Sequence, residues 1–200
     1  MSSTKIFLAD AESCAHTRDV VLSFRPWLDI ENIAGSLAEA SRNQAVRISR
    51  SEYVLFVDAG VEICDPTLVR RTVALARRKQ LHCVTAAVAC PEGRLHERLR
   101  YLGMNYMQRL SGLLRPFSSR FFMLFERAQF DVLGGFPEAC VSDDGSLSRK
   151  IKRDRFGIVQ GRVLTSQRNP RSHGSFRWIS LLLSSKSGDS QTNAITASAE

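Results

Sequence analysis

With 200 residues, 44% of them hydrophobic, the chain is long enough to bury one sizeable core and too short for two. Its formal net charge of +8 is unevenly placed: residues 1 to 64 carry 6 Lys or Arg against 9 Asp or Glu, and residues 65 to 200 carry 22 against 11, so an anionic partner would meet the second half. Five cysteines with no CxxC pair and no histidine at ligand spacing exclude a zinc ribbon or a disulfide scaffold and make a reducing, cytoplasmic setting the expectation; no apolar stretch reaches the ~18 residues of a membrane span.

Lys5 to Ala9 reads as a short buried strand that stops at Asp10, Ala11 to Cys14 as a polar turn, and Thr17 to Phe24 as helix. Ile33 to Ile48 is Ala-rich and lacks Pro, which makes helix the expectation, with Arg42 and Asn43 in its second half. Tyr53 to Val57 is an apolar strand ending in Asp58, with Ala59-Gly60 behind it. Pro66 opens a helix from Thr67 to Arg78 that turns Leu68, Val69, Val73, Ala74 and Ala76 inward, and His82 to Ala89 closes a βαβ-like unit as the next strand.

Arg94 to Leu114 places Leu95, Leu99, Leu102, Tyr106, Leu110 and Leu113 at spacings of 4, 3, 4, 4 and 3, an amphipathic helix with Arg94, Arg98, Arg100 and Arg109 off the stripe. The stripe is expected on the core; an anionic membrane surface is the alternative. Arg115-Pro116 ends this helix, Phe121 to Phe125 is bulky enough for an interior strand, and the helical turn from Arg127 to Val132 is stopped by Gly134-Gly135. Further on, Asp144 to Arg155 reads as helix, Ile158-Val159 and Val163 to Thr165 as strands, and Phe176 to Leu183 as a terminal helix. One domain over 1 to 183 and a disordered tail over 184 to 200 are expected.

Apolar strands that deliver carboxylates to their tips are where open α/β sheets bind ligands, so Asp10 and Asp58, side by side in a parallel sheet, are candidates to hold a nucleotide and a cation. The plainer alternative is that each caps the next turn. Asp143 and Asp144 open a predicted helix, where a cap and a first-turn carboxylate suffice structurally; the functional reading makes one of them a general base, with Gly134-Gly135 allowing close approach of a sugar.

Taken together, these motifs resemble a family 2 glycosyltransferase of the GT-A type from about Lys5 to Trp178. Lys5 to Ser13 resembles that family's second strand and Asp-x-x-Ser turn, Ala40-Ser41-Arg42-Asn43 its Ala-x-Arg-Asn helix end, and Glu52 to Gly60 its Asp-x-Asp segment. Phe122 to Phe125 followed by Phe130 to Glu138 is similar to its acceptor-side strand and Gly-Gly-Phe turn, Asp143-Asp144 falls where it has a Glu-Asp pair, and Val163 to Arg168 looks like its last strand with a trailing basic residue.

The resemblance implies an α/β, GT-A-like, Rossmann-type domain with a mostly parallel central sheet flanked by helices, N-terminally truncated because the chain starts at what looks like the second strand. It implies inverting transfer from a nucleotide-sugar donor to a saccharide or lipid-linked acceptor, in a bacterial-like enzyme that is cytoplasmic or peripheral at the inner membrane face. Asp144 would be the base beside Asp143; Asp10, Arg42, Asp58 and Arg168 would contact the donor; and Gly134, Gly135 and Phe136 would contact the acceptor. Gly60 stands where the family has its second Asp, leaving Asp58 as the single metal candidate for Mg or Mn; Arg168, Arg162 or Lys150 could supply positive charge instead. A non-catalytic GT-A remnant is the alternative. Nucleic acid binding, suggested by the basic pI, is disfavoured because it asks for none of Asp58, Gly134-Gly135 or Asp143-Asp144.

Overall fold

The computed structural model describes residues 4–10, 15–34, 38–112, 115–137 and 147–165, with Ala9, Asp10, residues 15–18, Ala34 and Ala38 described by their backbone alone. All of these belong to one compact unit, Met1–Ser166. The predicted terminal helix and the boundary at 183 lie outside the described residues.

The chain begins with β1 (Lys5–Asp10), α1 (Ala15–Phe24), β2 (Asp29–Ala34) and α2 (Ala38–Ile48). β1 and β2 pair in parallel, Lys5 opposite Asp29 and Asp10 opposite Ala34. The strand β2 corrects the reading of Ile33 as part of a helix. Its sequence, DIENIA, carries three polar residues of low strand propensity, and what holds it extended is pairing with β1, helped by the ion pair of Lys5 with Glu31 at 2.7 Å. Ile33 is buried at its end, and α2 starts afterwards.

The second sheet holds β3 (Tyr53–Val57), β4 (Val61–Glu62), β5 (Cys83–Ala89), β6 (Phe122–Glu126) and β7 (Phe156–Thr165) in the order β3-β6-β5-β7-β4. β6 runs antiparallel to both β3 and β5, and β5 parallel to β7, so β3, β5 and β7 share one direction and their carboxyl ends one edge. The two predicted strand pieces of β7 form one strand that continues through Gly161, whose φ of +139° and lack of a Cβ let it pass Leu68. Among the described residues no ladder joins β1–β2 to this sheet; α2 lies on β1 and β2 and also sends Val46 into the core that holds Phe56.

Each face of the larger sheet has its own core. On one, Val84, Val88, Phe122, Leu124 and Val163 meet α3 (Leu68–Lys79) through Leu68 and Ala76, and α4 (Leu95–Ser111) through Tyr101. Asp65 orders the start of α3: its carboxylate accepts hydrogen bonds from the Thr67 hydroxyl at 2.7 Å and the Thr67 amide at 2.8 Å and pairs with Arg71, which together hold its carboxyl below the usual range. On the other face, Phe56, Phe125 and Phe130 stack at edge-on or tilted angles with Val46, Met123, Leu147 and Ile151.

Two further expectations change. Where one helix was predicted up to Arg155, the described part holds two 3-10 turns, Ser148–Lys150 and Arg153–Arg155, because Ile151 and Lys152 adopt extended backbone to bury Ile151. The leucine stripe of α4 faces away from the core: Leu95, Leu99, Leu102 and Tyr106 are 73%, 57%, 64% and 67% exposed. The buried face instead carries Tyr101, Gln108 and Ser111, with Asn105 half-buried among them. It is polar, and most of its groups are paired: Asn105 accepts from the Val88 amide at 2.9 Å and donates to the Val88 carbonyl at 2.8 Å, and Gln108 donates to the Thr85 hydroxyl at 3.0 Å while its own side-chain oxygen is buried without a hydrogen bond. Beyond its pairing with β6, which covers Cys83 to Thr85, no strand among the described residues pairs with this edge of β5, and α4 docks there through amide groups rather than leucines.

Candidate functional site at the carboxyl edge of the sheet

The carboxyl edge of β3, β5 and β7 is built around Asp58. Immediately after β3, its backbone amide donates to the Phe121 carbonyl at 3.3 Å, extending the β3–β6 ladder by one step. Its carbonyl then accepts from Val61 at 3.0 Å, closing a tight turn through Ala59-Gly60 that delivers β4 to the end of β7, where Val61 pairs with Thr165. The turn thus spans the edge from β3 to β7.

The Asp58 side chain is 17% exposed, accepts from the Ala59 amide at 3.1 Å, and lies 3.5 Å from Nε of Arg120. Arg120 was missed by sequence reasoning. It precedes β6, and only the antiparallel direction of β6, which sets Val57 opposite Phe122, brings it to the tip of β3. A run of five bulky residues gives strand but not direction, so the signal existed only in combination.

A second constellation joins α2 to α5 (Arg127–Val132). Gly134 and Gly135 both take positive φ, +82° and +69°, reversing the chain at the end of α5. This presents both backbone groups of Phe136 to one amide: Asn43 accepts from the Phe136 N–H at 2.9 Å and donates to the Phe136 carbonyl at 2.8 Å. A Cβ on Gly135 would sit 2.7 Å from the Asn43 side-chain oxygen, so the close approach at this glycine is to Asn43. The Phe136 ring packs edge-on to Phe56, two residues before Asp58, with centroids 5.0 Å apart, and the Arg42 guanidinium lies over the Phe136 ring, 5.8 Å from its centroid. Arg42, Asn43 and the Gly-Gly-Phe turn are therefore one unit, tied through Phe56 to the strand that carries Asp58.

The remaining candidates are less assembled. Asp10 ends β1, in the two-stranded ladder, and among the described residues no ladder sets it beside β3. Asp143, Asp144 and Arg168 lie outside the described residues. Lys150 donates to the Leu133 carbonyl at 3.3 Å, and Arg162 is exposed on β7. Among the described residues no three His, Cys, Asp or Glu side chains cluster as a metal site, and Asp58, the carboxylate at the turn, already faces a guanidinium; a divalent cation there would need further oxygen ligands. Cys64, Cys83 and Cys90 are free thiols, and burial pushes that of Cys83 far up.

No family model and no curated protein matches the sequence. Solved structures do match the fold. The mannosyltransferase PcManGT from Pyrobaculum calidifontis, in complex with GDP-Man and Mn2+, superposes with a TM-score of 0.64 at 19% identity over 87% of this chain and 50% of its own. S. aureus TarS gives 0.59 at 15% over 90% of this chain and 34% of its own. Glucosyl-3-phosphoglycerate synthase from Mycobacterium tuberculosis, in complex with phosphoglyceric acid, gives 0.57 at 14% over 91% and 68%. The chain spans half the length of the first of these and a third of the second. Its mixed sheet flanked by helices has the GT-A-like fold of these glycosyltransferases.

Proposed function

We propose that the chain is the core of a family 2 glycosyltransferase, moving a sugar from a nucleotide-sugar donor to an acceptor hydroxyl with inversion. The observation that carries this reading is the Asp58 turn across the carboxyl edge of the sheet, the edge at which open α/β folds take nucleotides, on a fold shared with proteins solved with GDP-Man or UDP-glucose. The donor lies along that edge, contacted by Asp58 with Asp10, Arg42 and Arg168, and the acceptor lies by Gly134, Gly135 and Phe136. The Asp144 carboxylate, with Asp143 beside it, takes the proton of the acceptor hydroxyl; the oxygen attacks the anomeric carbon; the bond from that carbon to the diphosphate oxygen breaks, and nucleoside diphosphate leaves with the electron pair. The charge growing on the diphosphate needs a fixed positive group. Arg120, held at the Asp58 turn where the pairing of Asp with Gly60 leaves one carboxylate, is the residue assigned to it, and Asp58 orients its guanidinium.

Release of nucleoside diphosphate from a panel of UDP- and GDP-sugars, with saccharide and lipid-linked acceptors, tests the proposal. Turnover of at least one donor is expected, persisting in EDTA within about threefold and falling by roughly a hundredfold in Arg120→Ala. Loss of turnover in EDTA would overturn the role given to Arg120, and no turnover of any donor would favour a non-catalytic remnant of the fold.

A further inference from the structure

The exposed stripe of α4 has no part in the site above. We propose that it is a docking surface for an anionic lipid bilayer, with the helix lying in the plane of the headgroups. The stripe consists of Leu95, Leu99, Leu102, Tyr106 and Leu110, at least 39% exposed each, and the 17-residue helix runs about 25 Å. Five large apolar side chains in a continuous line are more than a stable surface carries by chance. The helix does not need them for the fold, since its opposite face is fixed to β5 by Asn105 and Gln108 and to the core by Tyr101.

What covers the stripe is indicated by charge. Exposed Arg94, Arg98 and Arg109 and half-buried Arg100 belong to or precede the helix, while Glu97, its single acidic residue, is drawn back to accept from the Arg94 amide at 2.7 Å and cap the first turn. The flanks are thus net positive, matching an anionic lipid surface, and long arginine stems can lie along the acyl boundary with their heads among phosphates. Tyr106, an apolar ring with a polar tip, suits the same depth. No helix among the described residues is long and apolar enough to cross a membrane, so the contact is one of lying on the surface.

The test is co-sedimentation of the full chain with vesicles of phosphatidylcholine alone or with roughly a third phosphatidylglycerol. Binding to the anionic vesicles is expected, weakening with salt. The double variant Leu99→Glu/Leu102→Glu, at positions 57% and 64% exposed, should keep its thermal midpoint and lose more than about tenfold in partitioning, and Arg109→Ala should lose about fivefold. Absence of binding, binding indifferent to the leucine variant, or a dimer in light scattering that the leucine variant dissociates would overturn the proposal; the last would make the stripe an interface between copies. Vesicle binding is read without nucleotide sugar, so its failure and that of the transferase reading are separate results.

Discussion

Asp144→Asn is expected to lower the turnover of nucleoside diphosphate release by roughly a hundred- to ten-thousand-fold while leaving the apparent affinity for the donor within a few-fold. The substitution keeps size and hydrogen-bonding shape and removes only the ability to accept a proton at neutral pH, so a loss confined to kcat identifies a base that acts in the transition state. Asp143→Asn, at the neighbouring position, should cost less than about tenfold, because the proposal gives proton transfer to Asp144 alone. If the two variants lose activity equally, or if the Asp144 variant loses donor affinity instead of kcat, the assignment of the base fails. Circular dichroism and thermal melting on both variants separate a chemical defect from an unfolded one.

The second large effect is on stability. Gly135→Ala is expected to destabilise the fold by about 2–4 kcal/mol, because it forces an L-residue into φ +69° and drives a Cβ to 2.7 Å from the Asn43 side-chain oxygen, breaking both hydrogen bonds of Asn43 to Phe136. Gly134→Ala provides the internal comparison. Its φ of +82° is equally unfavourable, yet nothing lies within 4 Å of the added Cβ, so the strain alone, about 1 kcal/mol, should remain. In a chain of this size the two should differ by several degrees in thermal midpoint, at about 2–4 °C per kcal/mol. Equal midpoints would show that the Asn43 clamp contributes little.

The strands β3 and β5 and the helix α3 are legible in the sequence because each is an unbroken or cleanly periodic apolar run, and their bounds fall within a residue or two of those read from it. The strand β2 is not legible, since DIENIA becomes a strand through its partner β1 rather than through its own residues. The helix α4 shows a different limit. Its periodicity gives a correct stripe but cannot say which side is buried, and here the opposite side wins because Asn105 and Gln108 find backbone and hydroxyl partners on β5.

The site divides in the same way. Asp58 at a strand tip and the Gly134-Gly135 turn are visible as motifs, and the structure gives the glycines a physical reason in Asn43 and the φ angles they adopt. The pairing of Asp58 with Arg120 depends on the direction of β6, a long-range property that a local pattern of apolar residues does not encode. The stacking of Arg42 on Phe136 likewise joins residues far apart in sequence.

The Asp58 edge as the donor site is tested most directly by titrating UDP- and GDP-sugars into isotopically labelled protein and following backbone amide shifts. The amides of Asp58, Ala59 and Gly60 and the side-chain signal of Arg120 should move on saturation with at least one donor, and Asp58→Ala should weaken that binding by about tenfold or more. Shifts confined to other surfaces, or no response to any nucleotide sugar, would contradict a donor site at this edge.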